Sequence, residues 1–522
     1  MRTNLGTKLL VILTVAALAV QTVRAQRARI ATDPFPAAAT LDAAADALGM
    51  TRGPQRVDAL SFVEYWGTGT MHALGQAFRP DTAWPAFKVS YHASIGYVVP
   101  GMRVDLTRTN PDGPVQGGGG LPLAAPQRQI QVVSGKFAWN ESTPGAGFAP
   151  GTTATPAPTA VNDRLLQMWT TPHGVVKAAR EAAAGAKITF EGGATVITFP
   201  AAGTTVKATL NAKNLIERVE TRADNPVVGD IVTETTYSDY KDLNGKDFAS
   251  DVLFPAHIVQ KQGGFPVLDL TITKTDTNNP YVIFPVPENV EKAAAEASPQ
   301  VKVETQKVAD GVWYLTGGTH HSVAVEFKDH VVLIEAPQND ARALAVIDTV
   351  KKTIPNKPIR YVVNTHHHFD HSGGLRAAVA EGTRIITQAA NKPYYEKVWA
   401  MPHTLSPDRL ARSPRKPVVE TVDQKRVLSD GTRSLELYRL QGSDHADTML
   451  VAYLPKERIL VEADVYTPAA ANAPAGPIVK ETVNLYDNIQ RLKLDVQQIA
   501  SIHGRLVTIN ELRAAAGKTS SN

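Results

Sequence analysis

The run Asn364-Thr365-His366-His367-His368-Phe369-Asp370-His371-Ser372-Gly373-Gly374 holds the densest set of metal-capable side chains in the sequence. His366, His368, Asp370 and His371 stand in the order His-x-His-x-Asp-His. Imidazole nitrogens and carboxylate oxygens suit Zn²⁺, and closely related metals follow the same preferences. An apolar, strand-like stretch at 359–363 precedes the run, and a helix-like one at 375–381 follows it. Where a chain leaves a strand, alternate residues still point the same way, so His366 and His368 can converge on one ion. Asp370 and His371 lie past the bend and can face a second. A chance cluster of the purification-tag kind would be terminal and monotonous, and this run is neither.

Three further candidates follow apolar stretches. His445 closes Gly442-Ser443-Asp444-His445, Asp464 follows Ala463, and His503 precedes Gly504. Strand ends bring side chains from distant sequence to one edge of a sheet, which fixes their separation. His367 is expected to face away or to pack. His320 and His321 lie on a loop that could border the site, but are expected to be solvent-exposed. His72, His92, His173 and His257 are widely spaced and lack a carboxylate in ligand spacing, so they read as packing or surface residues.

The elements that must position these residues fall into two halves. In the first, an Ala-rich helix is expected at 41–48, followed by period-two stretches at 87–91, 102–106 and 130–139. A helical interval at 165–180 separates them from strand-like segments at 186–190, 195–199, 206–210, 216–221, 231–237, 253–260 and 268–273. Many strands joined by short turns predict a curved antiparallel sheet with helices over its concave face. That pattern resembles periplasmic lipoprotein carriers, which implies a lipid or peptide ligand if the concave side is open. Otherwise this half would be a support and dimerisation domain. Pro285, Pro287 and Pro299 frame a linker, so the halves are 26–298 and 299–522. Around the histidine run, strands alternate with helices, as in an α/β layer. The loops at 394–417 and 467–477 are expected to wall the pocket.

Length and composition narrow the class. A chain of 522 residues exceeds one core. Its 43% apolar and 20% charged content fits a soluble globular protein. The formal charge of +4 comes with no dense basic stripe, so no nucleic-acid partner is expected. Cysteine is absent, which excludes thiolate ligands, a cysteine nucleophile and disulfides, and no Gly-x-Ser-x-Gly motif offers a serine nucleophile. Arg2 and Lys8 precede an apolar run at 9–20, and Val23-Arg24-Ala25 supplies small residues for cleavage before Gln26. Residues 1–25 therefore read as a signal peptide, because the run falls short of the ~20 residues a bilayer needs. Once it is cleaved no integral membrane span is expected, and the protein would be periplasmic or secreted.

In their order, His366-x-His368-x-Asp370-His371, Gly442-Ser443-Asp444-His445, Ala463-Asp464 and His503-Gly504 resemble the metallo-β-lactamase superfamily over residues 300–522. The resemblance implies a C-terminal αββα sandwich in an α+β chain, binding one or two ions. It implies that His366, His368 and His445 hold a first Zn²⁺, that Asp370, His371 and His503 hold a second, and that Asp464 bridges them. A carboxylate bridge is similar to the glyoxalase-like and lactonase-like branches, whereas the best-known lactamase branch has cysteine there. Ala463 departs from a usual glycine, and Ile334-Glu335-Ala336-Pro337 from a usual Asp-Thr-Gly ending, where Glu335 could support a ligand histidine.

The function this implies is an exported hydrolase. A hydroxide shared by two ions would attack an ester, lactone, thioester or β-lactam carbonyl of a small molecule. Asp370 would assist the leaving group, and Tyr466 would donate to the oxyanion, as a tyrosine does in lactonase-like relatives. Two alternatives are a mononuclear iron enzyme like the persulfide dioxygenases, and an inactive carrier that uses the N-terminal sheet.

Overall fold

The computed structural model describes residues 37–145, 153–244, 251–295, 301–474 and 476–518. The signal-peptide reading of 1–25 and the boundary near residue 298 lie outside the described residues.

In the first half, hydrophobic alternation makes the strands. Phe87, Val89, Tyr91, Ala93 and Ile95 are buried in the strand Ala86–Gly96, as are Met102, Val104 and Leu106 in Gly101–Thr109. A period of two gives each strand one dry face. The strands join into a curved 13-stranded antiparallel sheet. Two meanders meet where Phe62–His72 pairs with Phe265–Thr277.

The helices Ala38–Ala47, Val161–Trp169 and Pro172–Ala182 cover the apolar face. Their Leu41, Met168 and Val176 share one core with Tyr65, Tyr91 and Phe254. The last helix starts where it does because Thr171 Oγ1 accepts from Gly174 N and Pro172 takes the first helical position. Among Tyr65, Tyr91, Gln167 and Phe254 a space of about 40 Å³ remains. Pockets for drug-sized ligands take roughly 300 Å³ or more, and a lipid chain or peptide is no smaller. The face expected to hold a lipid or peptide is therefore filled by the chain's own helices.

The second half has a 7-stranded and a 6-stranded sheet. Along Val331–Ile334 the side chains alternate between two dry environments. Val331 and Leu333 share a layer with Ala343, Val346 and Ile347 of the helix Asp340–Thr353. Val332 and Ile334 share the inter-sheet layer with Leu437, Leu450 and Val461 of the other sheet. Beyond that sheet, Tyr453, Leu460 and Ile499 pack with Leu485, Ile489 and Leu512 of the helices Lys480–Leu492 and Ile509–Ala515. Helix, sheet, sheet, helix is the αββα order.

The stretch at 394–417, expected as a loop, contains the helical turn Arg409–Arg412 and the end of the helix Asn391–Val398. A buried ion pair between Arg376 and Asp408 ties it down. No described helix is long and apolar enough to cross a membrane.

The first half lays its loops over the strand ends of the second. Gly117 N donates to Asp444 O at 2.8 Å, and Asp447 N donates to Phe78 O at 2.9 Å. Arg79 pairs with Asp447 at 3.1 Å across the same boundary.

His173, fully buried in the first core and stacked on Phe254, gives a prediction about pH. Burial, reinforced by Lys177, pushes its imidazole from 6.5 down to about 4. Between those values the unfolded chain binds a proton that the folded chain refuses, so stability falls as pH drops. The loss should begin below about pH 6.5 and reach about 3 kcal/mol near pH 4. Thermal melts of His173→Phe at pH 7.5 and 4.5 should show that this part of the acid sensitivity has gone.

Candidate metal centre

The histidine run is held by its own backbone. Asn364 Nδ2 donates to His366 O at 2.6 Å, and Asn364 Oδ1 accepts from Thr387 Oγ1 at 3.0 Å and Tyr395 Oη at 2.6 Å. This fixes the turn that follows the strand Ile359–Val363, after which Phe369–Ser372 makes a single helical turn. Glu335 and Asp464 leave their strands at φ +69° and +64°. That left-handed conformation costs a non-glycine residue of order 1 kcal/mol, and such strain concentrates at functional sites.

Metal-capable atoms gather in two groups, each with its atoms within 4.8 Å of one another. One contains His366, His368, His445 and Asp464; the other contains His320, Asp370, His371 and His503. Asp464 spans both. Its Oδ2 lies 2.8 Å from His445 Nε2 and 3.3 Å from His366 Nε2. Its Oδ1 lies 2.6 Å from His503 Nε2 and 3.1 Å from His371 Nε2. The structure thus brings His366, His368, Asp370, His371, His445, Asp464 and His503 to one place.

The outward nitrogens of the rings show what the inward ones can do. His368 Nε2 donates to Ala77 O at 2.9 Å, His503 Nδ1 to Thr319 O at 3.2 Å, and His371 Nδ1 to Glu335 Oε2 at 3.0 Å. In the neutral rings the proton sits on these nitrogens, and a lone pair points inward. His366 Nε2 lies 3.0 Å from His368 Nδ1, and His371 Nε2 lies 3.2 Å from His503 Nε2. Buried Asp464 Oδ1 is near two rings yet in hydrogen-bond geometry with neither. Convergent lone pairs and an orphaned carboxylate oxygen fit a bound cation, and an all-nitrogen-and-oxygen donor set suits Zn²⁺ or a related ion.

The local electrostatics agree. Burial, with His371 adding to it, pushes His366 down to about 4, and burial holds His368 well below its usual range. Burial also opposes charge on His371, but Asp464, Asp370 and Glu335 together outweigh it and hold its pKa well above the usual value. Burial would raise Asp464, yet His371 and His445 draw it well below the carboxylate range. His366 and His368 are therefore neutral imidazoles, whereas the surroundings of His371 favour positive charge.

Three expectations need correction. His320 and His321 are only 9% and 7% exposed, because their loop folds beneath His503. His320 Nε2 lies 3.1 Å from Asp370 Oδ2, and His321 Nδ1 pairs with Tyr314 Oη. Tyr466 packs in the apolar layer with Leu485 and Leu512 and is not among the cavity-lining residues, so an oxyanion role does not follow from its position. The cavity over the centre, about 1050 Å³, takes Thr467 from the expected wall loops and none of 394–417. Its other wall is the first half, through Ala73, Gln76, Arg108, Gly119 and Gly120.

Gln76 was not foreseeable, since a lone glutamine carries no pattern. Its Nε2 donates to Asp370 Oδ1 at 2.8 Å while its Oε1 accepts from Gly119 N at 2.9 Å. At Gly118 an added Cβ would collide with Gln76 Oε1 and stand 2.7 Å from His368 Cε1. Gly118→Ala should therefore weaken metal binding about 10–100-fold, the range seen when supporting groups are lost. Competition with a chelator, read by elemental analysis, would measure it.

Residues 315–465 match the family model of the metallo-beta-lactamase superfamily. The 2,4-dinitroanisole O-demethylase subunit alpha of Nocardioides sp. (strain JS1661) is 25% identical over 174 residues, 32% of this chain and 48% of that subunit. A linear primary-alkylsulfatase of Pseudomonas sp is 33% identical over 76 residues, 14% of this chain and 11% of the sulfatase. The chain thus spans about half the length of the first relative and about a tenth of the second. Among solved structures, the metallo-beta-lactamase from Pontibacter korlensis is 21% identical and covers 42% of this chain and 98% of its own, with a TM-score of 0.31. The mono-zinc FIM-1 enzyme from Pseudomonas aeruginosa is 21% identical over 42% of this chain and 97% of its own, also with a TM-score of 0.31. The match to the metallo-beta-lactamase superfamily thus falls on residues 315–465, within the half that carries the paired histidine and aspartate clusters.

Proposed function

We propose that the protein is an exported hydrolase working with a pair of zinc ions on an ester-type bond of a small molecule. The observation that carries this reading is Asp464, whose two oxygens face two separate nitrogen clusters. His366, His368, His445 and Asp464 would hold one ion, and Asp370, His371, His503 and Asp464 the other. Bound there, such a pair supplies an acidified water and positive charge against the negative charge that develops on the substrate.

The chain's own groups do the rest. Gln76 and His320 hold Asp370 by its two oxygens at the cavity wall. His320 Nε2 lies behind Asp370 Oδ2 and, facing a carboxylate oxygen, would carry its proton on that side. Loops of the first half, through Ala73, Gln76, Gly119 and Gly120, wall one side of the cavity over the centre. The cavity's volume of about 1050 Å³ admits a drug-sized or long-chain substrate. Ester, lactone, thioester and β-lactam carbonyls remain in the proposed range. Because one relative is named an alkylsulfatase, sulfate esters join them.

Pure protein should carry about two zinc ions per chain, begin at Gln26 by mass spectrometry, and turn over at least one class among nitrocefin, lactones, thioesters and alkyl sulfates. Asp464→Ala should lower the metal content and cut turnover by at least about 10³-fold. Chelation should abolish activity and added zinc restore it. One iron per chain with oxygen uptake would mean the dioxygenase reading instead, and full turnover in metal-free protein would overturn both.

A further inference from the structure

A second cavity, about 160 Å³, lies at the seam of the two halves, and the chemistry above makes no use of it. The first half supplies Trp84, Ile231 and Phe265, and the second supplies His367, Phe369 and Tyr394. Trp84 stacks on Phe265 with ring centroids 5.0 Å apart and meets Phe369 edge-on at 6.2 Å. The stretch 73–77 is the wall between the two cavities. Its Ala73 and Gln76 line the metal cavity, while Leu74, Gly75 and Ala77 line the seam. Gly75, at φ +70°, lies so close on the Phe369 ring that any side chain there would strike it.

Asp81, Thr82, Gln262 and Lys397 reach this mainly apolar lining from exposed or half-buried positions, whereas His367 reaches it from within the protein. His367 is 2% exposed, and its Nδ1 lies 2.9 Å from Thr448 Oγ1. Its Nε2 is buried without a hydrogen-bond partner. The neighbouring carbonyl, Ala77 O, accepts from His368 Nε2 at 2.9 Å, and His367 Nε2 makes no bond of proper geometry to it. A buried polar atom left unsatisfied is costly and calls for an explanation. Asp81 and Lys397, the charged residues on the cavity lining, pair with each other at 2.8 Å, so neither is left over for a charged ligand.

We propose that the seam cavity binds a small neutral aromatic ligand with one hydroxyl, of the phenol class. An apolar cavity of about 150 Å³ is large enough for benzene. The aromatic walls favour a ring stacked or edge-on, and His367 Nε2 adds a single hydrogen bond that benzene cannot make. The site stands on the far side of the 73–77 wall from the metals, so it does not depend on the hydrolase reading.

The test uses the full-length, metal-loaded protein with phenol and benzene as calorimetric probes, and 4-iodophenol in crystals to locate the ring by its iodine. Phenol should bind saturably at one site, about ten-fold tighter than benzene, with the iodine between Trp84 and Phe369. His367→Phe should erase the preference for phenol. Ile231→Trp should fill the cavity and remove binding of both probes and the iodine peak, with metal content unchanged. Absence of saturable binding, equal affinity for the two probes in the unmodified protein, iodine at the metal cavity, or binding that survives Ile231→Trp in protein of normal metal content would each overturn the proposal.

Discussion

The centre is governed by a demand for positive charge among its buried nitrogen and oxygen lone pairs. Imidazole nitrogens and a carboxylate oxygen are buried face to face at about hydrogen-bond distance, with their protons committed to acceptors on the outer side. Such an arrangement repels itself unless positive charge lies among the lone pairs. The strained backbone at Glu335 and Asp464 makes sense in that light, because each conformation puts a carboxylate where that charge belongs. The rigid double sheet then keeps the clusters from relaxing apart.

The first half of the chain takes part in the same constraint. The Ala77 carbonyl fixes which nitrogen of His368 keeps its proton, and Gln76 fixes Asp370. A backbone carbonyl works here because it can only accept, so it leaves His368 Nδ1 as the inward lone pair. These contacts cross 291 and 294 positions of sequence. Neither could come from the strand ends of the second half, which already carry the ligands.

What could be read from the sequence divides along physical lines. Strands with period-two burial, such as Ala86–Gly96, announce themselves because each dry side chain is two residues from the next. The histidine run announces itself because all its ligands are local. The curvature of the first sheet and the layers of the second half also follow from alternation. The expectations that needed correction concern how loops fold over other elements. His320 looked like an exposed loop residue, but its loop tucks under His503, and nothing local encodes that. Tyr466 looked catalytic from its distance along the chain to Asp464, yet its side chain turns into the helix layer. Gln76 carried no signal, since its role exists only once the two halves have met.

That last point bears on how the halves depend on each other. The αββα half buries three apolar layers almost wholly of its own, with Val227 of the first half reaching into one of them. Its site does require the first half. Without the stretch 73–77, His368 loses the acceptor that sets its tautomer, Asp370 loses one of its two donors, and the cavity loses a wall. The same few residues also form the other face of that wall, toward the apolar seam. Gln76 N donates to Ala73 O at 3.1 Å and closes a turn, so Leu74 and Gly75 at its tip line the seam while Ala73 and Gln76 at its base line the metal cavity. Any shift of that segment alters both cavities together, because the wall has no thickness beyond its own backbone.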